Sequence, residues 1–261
     1  MDWRLGVIGS PIAHSLSPRL HEAALSALGL TGSSEAIDIR ADDHAALTEV
    51  LATHDALSVT MPLKEVAVER CDELDDVSRH VGAVNSLRIF EGRVVGRSTD
   101  GDGFIDAVRD EFAVDLDGAH VVVRGSGGSA KSIIDALVRS GARVSIVARN
   151  ADVAVRIVER YESVEVNAPV MRAVDLIVNT IPAGAFDSGP LDGPTVEFCS
   201  GACALDVVYE PRESPWLAER RADGLRCANG LSMLVHQARH QMQWWFDQSV
   251  PLEPLFAAVG R

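Results

Sequence analysis

An α/β fold in two domains is predicted by three observations. Apolar runs of strand length alternate with segments whose apolar residues recur at helical spacing. A glycine-rich loop, Gly125-Ser126-Gly127-Gly128-Ser129-Ala130, stands between one such strand and one such helix. The length of 261 residues and a hydrophobic content of 47% suit two modest cores.

Taken in order, Leu5–Ile8 reads as a short buried strand and Gly9-Ser10-Pro11 as the loop that ends it. Ser17-Pro18 opens a helix in which Leu20, Ala24 and Leu28 share one face, and Gly29 closes it. Leu57–Thr60 is a second strand, and Pro62–Arg70 is read as the helix that follows. Asn85–Phe90 and Arg93–Gly96 form a strand pair about a turn at Glu91-Gly92. A connecting helix carries Phe104, Val108 and Phe112, and near residue 100 the pattern starts afresh. Ala119–Arg124 is a strand leading into the glycine loop and its helix, followed by strands at Arg143–Ala148, Asp175–Thr180 and Ala204–Val208. The tail from Gly230 to about Phe246 reads as one helix.

Charge and composition narrow the function. A net charge of -14 argues against nucleic acid or an anionic membrane as partner, since both need clustered Lys and Arg. No apolar stretch reaches the roughly 20 residues that span a bilayer. The start, Met1-Asp2-Trp3-Arg4, lacks a signal-peptide pattern. Cys71, Cys199, Cys203 and Cys227 show no CxxC spacing and are read as reduced thiols, which suits the cytoplasm. His236 and His240 have a metal-ligand spacing on a helix, but no third ligand accompanies them, so no metal is expected. Trp244-Trp245-Phe246 reads as helix packing, and the acidic run Asp72 to Asp76 as a solvated face.

Lys64 is the residue that first suggests chemistry. Read near the positive end of the Pro62–Arg70 helix, it opposes the helix dipole by about 0.3–1 kcal/mol. A lysine kept against that preference points to an anionic or polar ligand, while a solvated lysine is the plainer alternative. The glycine loop points to a dinucleotide. Its spacing G-x-G-x-x-A lets the chain turn tightly, approach a pyrophosphate and pack the helix closely. About 20 residues on, where an acid would bond the ribose hydroxyls of NAD, the chain reads Val147-Ala148-Arg149-Asn150. Arg149 suits the 2′-phosphate of NADP, and Asp152 leaves NAD open.

With these pieces in place the chain resembles the shikimate dehydrogenase family over essentially its whole length. The matching segments run in the family's order: Gly9-Ser-Pro-Ile-Ala-His-Ser-Leu-Ser-Pro18, Val59-Thr-Met-Pro-Leu-Lys64, Gly82-Ala-Val-Asn-Ser86 and Thr99-Asp100-Gly101. The glycine loop, Ala148-Arg149-Asn150, Asn179-Thr-Ile-Pro-Ala-Gly184, Asp206-Val-Val-Tyr209 and Gly230-Leu-Ser-Met-Leu-Val-His-Gln237 follow.

The resemblance implies an N-terminal α/β substrate domain over residues 1–100 and a Rossmann, doubly wound cofactor domain over 101–230, with 231–261 returning to the first. It places the active site in the cleft between them. The implied reaction is the reversible reduction of 3-dehydroshikimate to shikimate with NADPH. Lys64 and Asp100 become the catalytic pair, because removing or returning a hydroxyl proton as hydride moves requires an acid–base group. Ser15 and Ser17 would hold the substrate carboxylate, although Ser17 is also a good helix cap. Thr60, Asn85, Tyr209 and Gln237 would contact the ring. Gly125, Ser126, Gly127, Gly128, Ser129, Arg149, Asn179 and Thr180 would contact the cofactor.

Ser58 and Ser98 stand where the family commonly has asparagine, and the cofactor segments also drift from the usual pattern. These departures keep open a paralogue that oxidises quinate or another cyclic hydroxy acid with NAD or NADP. A non-catalytic dinucleotide-binding sensor is the remaining alternative. The expected partner is a small ring acid, with the chain a monomer or homodimer.

Overall fold

The computed structural model describes residues 2–149, 151–161, 164–166, 170–182 and 195–261. The chain forms two compact units, Met1–Gly103 with Leu234–Arg261, and Phe104–Met233.

The first unit begins with β1 (Asp2–Gly9), α1 (Ser17–Leu28), β2 (Thr31–Asp38), α2 (His44–Thr53) and β3 (Ala56–Val59). Then come β4 (Glu73–Leu74), α3 (Asp76–Val81), the hairpin β5 (Ser86–Phe90) and β6 (Arg93–Arg97), and the first turn of α4 (Asp100–Phe112). The second unit continues with β7 (His120–Arg124), α5 (Gly128–Arg139), β8 (Arg143–Val147), α6 (Ala151–Val158) and β9 (Val164–Val166). It adds β10 (Val170–Asn179), β11 (Thr195–Asp206), α7 (Pro215–Ala222) and β12 (Arg226–Ala228). Then α8 (Leu231–Phe246) carries the chain back into the first unit, where α9 (Leu252–Ala258) ends it.

In the first unit a six-stranded sheet has the order β2-β1-β3-β5-β6-β4. β1 lies parallel to both β2 and β3, so its apolar run from Leu5 to Ile8 is covered on both faces, as parallel strands require. The loops after β1 and β3 leave the same sheet edge, and Ser10 N–H donates to the Met61 carbonyl at 3.0 Å, joining them. Ile8, Leu47, Leu57, Leu63, Val84 and Leu87 share one core. Trp245 is fully buried, with its ring edge-on to His21, and Phe246 packs on Trp3, so the aromatic run at the end of α8 is packing.

In the second unit the sheet order is β12-β11-β10-β7-β8-β9, with every pairing parallel. The chain winds outward from β7 in one direction, then crosses back and winds outward from β10 in the other. This is the doubly wound arrangement. Its switch point, where strand order reverses, lies between β7 and β10, and such points are where open α/β sheets bind ligands.

Two sequence readings are corrected. The helix expected over Pro62–Arg70 is only a 3-10 turn over Val66–Arg70. The Lys64 carbonyl accepts from Val84 N–H at 2.9 Å, while Val68 N–H turns to the Glu65 carbonyl in the tighter 3-10 pattern. Lys64 therefore precedes a short turn rather than opening a helix, and the dipole argument loses most of its weight. Nor is the acidic run merely a solvated face. Asp75 caps α3 by accepting from Ser78 N–H, and Asp72 accepts from Val94 N–H at 2.7 Å. Unpaired backbone donors at a helix start and a sheet edge account for both.

The four cysteines are free. Burial, with Asp72 beside it, pushes the Cys71 thiol up to about 12, so it remains protonated and unreactive at neutral pH. Among the described residues no helix is long and apolar enough to cross a membrane.

Candidate functional site

Lys64 and Asp100 come from distant parts of the chain and meet within the first unit. Lys64 Nζ donates to Asp100 Oδ2 at 2.5 Å, with the two side chains 16% and 5% exposed. A backbone bond from another segment places the first, and a helix start places the second. The bond from Val84 N–H fixes the Lys64 backbone against the segment before β5. Asp100 is the first residue of α4, where the helix end favours a carboxylate.

Two amide side chains, Asn85 and Gln237, stand beside the pair, and backbone groups fix which way each one faces. Asn85 Oδ1 accepts from Thr99 N–H at 2.8 Å, so its Nδ2 must face the other way. Nδ2 donates to Asp100 Oδ1 at 2.7 Å and to Gln237 Oε1 at 3.0 Å. Gln237 Nε2 donates to the Leu234 carbonyl at 2.7 Å, which turns its oxygen toward Asn85. Thr99 Oγ1 donates to the Gln237 carbonyl, tying the start of α4 to α8. Gly103 lets these helices approach backbone to backbone: a Cβ there would lie 2.6 Å from Gln237 Cα. Sequence proximity hides this arrangement, since Asn85 and Gln237 are 152 positions apart.

The other expected substrate residues are placed as follows. Thr60 follows directly after β3, half-buried, with its N–H donating to the Ile8 carbonyl. Ser15 is half-buried in the loop before α1, and its Oγ accepts from Ser17 N–H at 3.3 Å. Ser17 is the first residue of α1 and is buried. The cap position belongs to Leu16, whose side chain makes no capping bond, so capping does not explain the Ser17 hydroxyl. Asn85 is only 2% exposed, and its amide already serves Thr99, Asp100 and Gln237. Tyr209 lies in the second unit, half-buried just beyond β11.

The glycine loop stands at the switch point of the second sheet. Gly125 has φ +118°, and its N–H donates to the Val147 carbonyl at 2.9 Å. A Cβ there would collide with Thr180 Oγ1, so only glycine lets the two loops lie together. Thr180 closes the contact by donating both its N–H and its hydroxyl to the Arg124 carbonyl. Gly127 caps α5 without a side-chain bond, and the first turn of α5, which contains Gly128 and Ser129, holds no acid. The helix field there favours an anion. Space beside Gly127 is open, as a close-lying ligand requires. Ser126 is half-buried in the same loop, and Arg149 is exposed past the end of β8. These features fit a dinucleotide.

Asn179 is different. Its amide, 1% exposed, donates to Asp206 Oδ1 at 2.9 Å and to the Ile181 carbonyl at 3.3 Å. Asp206 in turn accepts from Ser214, the cap of α7. Asn179 thus braces the ends of β10 and β11 from inside. Asn150, Ala183 and Gly184 lie outside the described residues.

Sequence reasoning missed His21, Thr99 and Gln241. Gln241 is one helical turn beyond Gln237 on the same face of α8, and that spacing was the available signal. His236 packs edge-on against Phe256 at 5.8 Å.

Comparison with known proteins supplies the remaining observation. Residues 7–87 match the family model of the shikimate dehydrogenase substrate binding domain. The NADP(+) shikimate dehydrogenase of Acidiphilium cryptum is 37% identical over 98% of this chain and 95% of its own. A crystal structure of shikimate 5-dehydrogenase from Thermus thermophilus in complex with shikimate is 32% identical. It superposes with a TM-score of 0.86 over 98% of this chain and 97% of its own. The structure of the Thermus thermophilus enzyme with NADP(H) and shikimate has a TM-score of 0.84 at 31% identity, over 98% of both chains.

Proposed function

The chain belongs to the shikimate dehydrogenase family, and from that membership we propose that it reduces 3-dehydroshikimate reversibly to shikimate with NADPH. The observation that carries the reading is the part-buried Lys64–Asp100 pair, with Asn85 holding the second carboxylate oxygen. The first unit holds the ring acid and the second holds the cofactor.

Bound NADPH supplies the hydride that reaches the ring carbonyl carbon. Everything else falls to side chains. Ser15 and Ser17 hold the substrate carboxylate. Thr60, Gln237 and Tyr209 hold the ring. Lys64, as an ammonium, bonds the carbonyl oxygen and gives it a proton as the carbonyl becomes a hydroxyl. Asp100 keeps that ammonium aimed and recharged from solvent. In the oxidative direction the same lysine takes the hydroxyl proton. Asn85 acts through its neighbours, fixing Asp100 and Gln237. On the cofactor side the first turn of α5 binds the pyrophosphate, with Ser126 and Ser129 beside it. Arg149 binds the 2′-phosphate, and Thr180 shapes the loop. The enzyme works in the cytoplasm as a monomer or homodimer.

The test is absorbance at 340 nm with shikimate or quinate against NADP or NAD. Turnover of shikimate with NADP, faster than any other pairing, is expected. Turnover of quinate with NAD alone would make the chain the paralogue instead. A second expected result concerns the cofactor. Arg149→Ala should raise KM for NADP by about 10-fold or more and leave KM for NAD within about 2-fold, because one charge-assisted contact is lost only where the phosphate exists. Equal changes would remove Arg149 as the reader of the phosphate.

A further inference from the structure

Behind the Lys64–Asp100 pair runs a buried hydrogen-bonded chain that the reaction does not itself use. Ser34 Oγ lies 2.7 Å from His21 Nδ1, and His21 Nε2 lies 2.9 Å from Ser58 Oγ. Ser58 Oγ donates to Gln241 Oε1 at 2.6 Å. Gln241 Nε2 donates to Gln237 Oε1 at 2.9 Å and to the Asn85 carbonyl at 2.9 Å.

The direction of every proton in this chain follows from one backbone group. The Asn85 carbonyl can only accept, so the Gln241 atom facing it is the nitrogen. Gln241 Oε1 then faces Ser58, which must donate its single proton there. Ser58 Oγ is left to accept, so His21 carries its proton on Nε2. Burial pushes the His21 imidazole down to about 3, so at neutral pH the ring is neutral and has one proton only. Its Nδ1 is therefore bare and accepts from Ser34. At the other end Gln237 Oε1 accepts from both Gln241 and Asn85. Its amide nitrogen is turned away from them, with one N–H on the Leu234 carbonyl and the other available to a ligand.

We propose that Gln241, backed by Ser58 and His21, is a positioning residue that holds Gln237 as a hydrogen-bond donor to the ring acid. The proposal rests on the reading that Gln237 binds that substrate. Ser58 is then no ligand: its hydroxyl serves Gln241 and His21. The serine found where the family commonly has asparagine is a member of this relay.

Two measurements test the proposal. Gln241→Met keeps the shape and removes both donor bonds, so Gln237 loses one of the partners that fix its amide. KM for shikimate should rise about 10-fold while kcat stays within about 3-fold and KM for NADP is unchanged. A residue that merely supports the fold would lower the melting temperature without that split. An unchanged KM for shikimate overturns the proposal. The second measurement needs no activity and no variant. Nitrogen NMR of wild-type protein with labelled histidine should show His21 protonated on Nε2 and bare on Nδ1 between about pH 5 and 8. The opposite tautomer reverses the relay and overturns the proposal. If the wild type fails to turn over shikimate, the functional reading falls, and the His21 spectrum still decides the direction of the chain.

Discussion

Lys64→Ala should lower kcat by about 10²–10⁴-fold, the usual loss when a general acid–base group is removed, and leave KM for the ring acid within a few-fold. The expectation rests on chemistry as well as on position. Hydride arriving at a carbonyl carbon leaves negative charge on oxygen, and a proton donor within reach removes that cost. Lys64 is held by its backbone bond to Val84 and by Asp100, so it is already placed and needs little reorganisation. Alanine would also leave Asp100 buried without its cation, so lost rate alone could reflect a disturbed site. Lys64→Arg separates the two causes. Arginine restores the charge beside Asp100 but does not release a proton at working pH. It should recover stability and not rate. Recovery of both would reduce Lys64 to a counter-ion, and a near-wild-type kcat in Lys64→Ala would do the same.

The parts of this protein that are legible in the sequence are those whose signal is local. Gly29 ends α1 in the left-handed conformation because no side chain opposes it there, and the sequence pattern marks that stop. The hairpin of β5 and β6 turns at Glu91-Gly92, both with positive φ. The glycine loop announces itself by spacing. β2 carries no such signal. Thr31–Asp38 pairs with β1 at the sheet edge with most of its side chains exposed, so its residues are polar and only its backbone declares it a strand. The short turn after Lys64 reads as a helix in the sequence because the bond from Val84 that fixes the Lys64 backbone is not local. The spacing from Gln237 marks Gln241, but its other partner is hidden for the same reason: Ser58 is 183 positions away and no local pattern joins the two. Chemistry-bearing residues are visible singly, and what holds them in place becomes visible only in three dimensions.

Asp100→Asn should cost about 3 kcal/mol of stability, the low end for breaking a buried ion pair, because Lys64 keeps some access to water. The substitution preserves shape. It also preserves the oxygen that accepts from Asn85 Nδ2. What changes is the atom facing Lys64, where an amide N–H₂ would meet an ammonium across the distance now spanned by the 2.5 Å bond. Two donors face each other, and the lysine must turn toward solvent or give up its proton. Either outcome takes the proton donor away from the carbonyl, so kcat should fall by about 10²-fold together with stability. Part of any loss belongs to the helix end rather than to the pair, since a carboxylate in the first turn of α4 contributes about 0.3–1 kcal/mol. Asp102 measures that part. It shares the first turn and is exposed. Asp102→Asn should therefore cost no more than about 1 kcal/mol by urea denaturation and leave kcat unchanged. The difference between the two variants belongs to the ion pair. Equal losses would mean that Asp100 serves the helix dipole alone, and the acid–base role of Lys64 would then lack the partner that aims it.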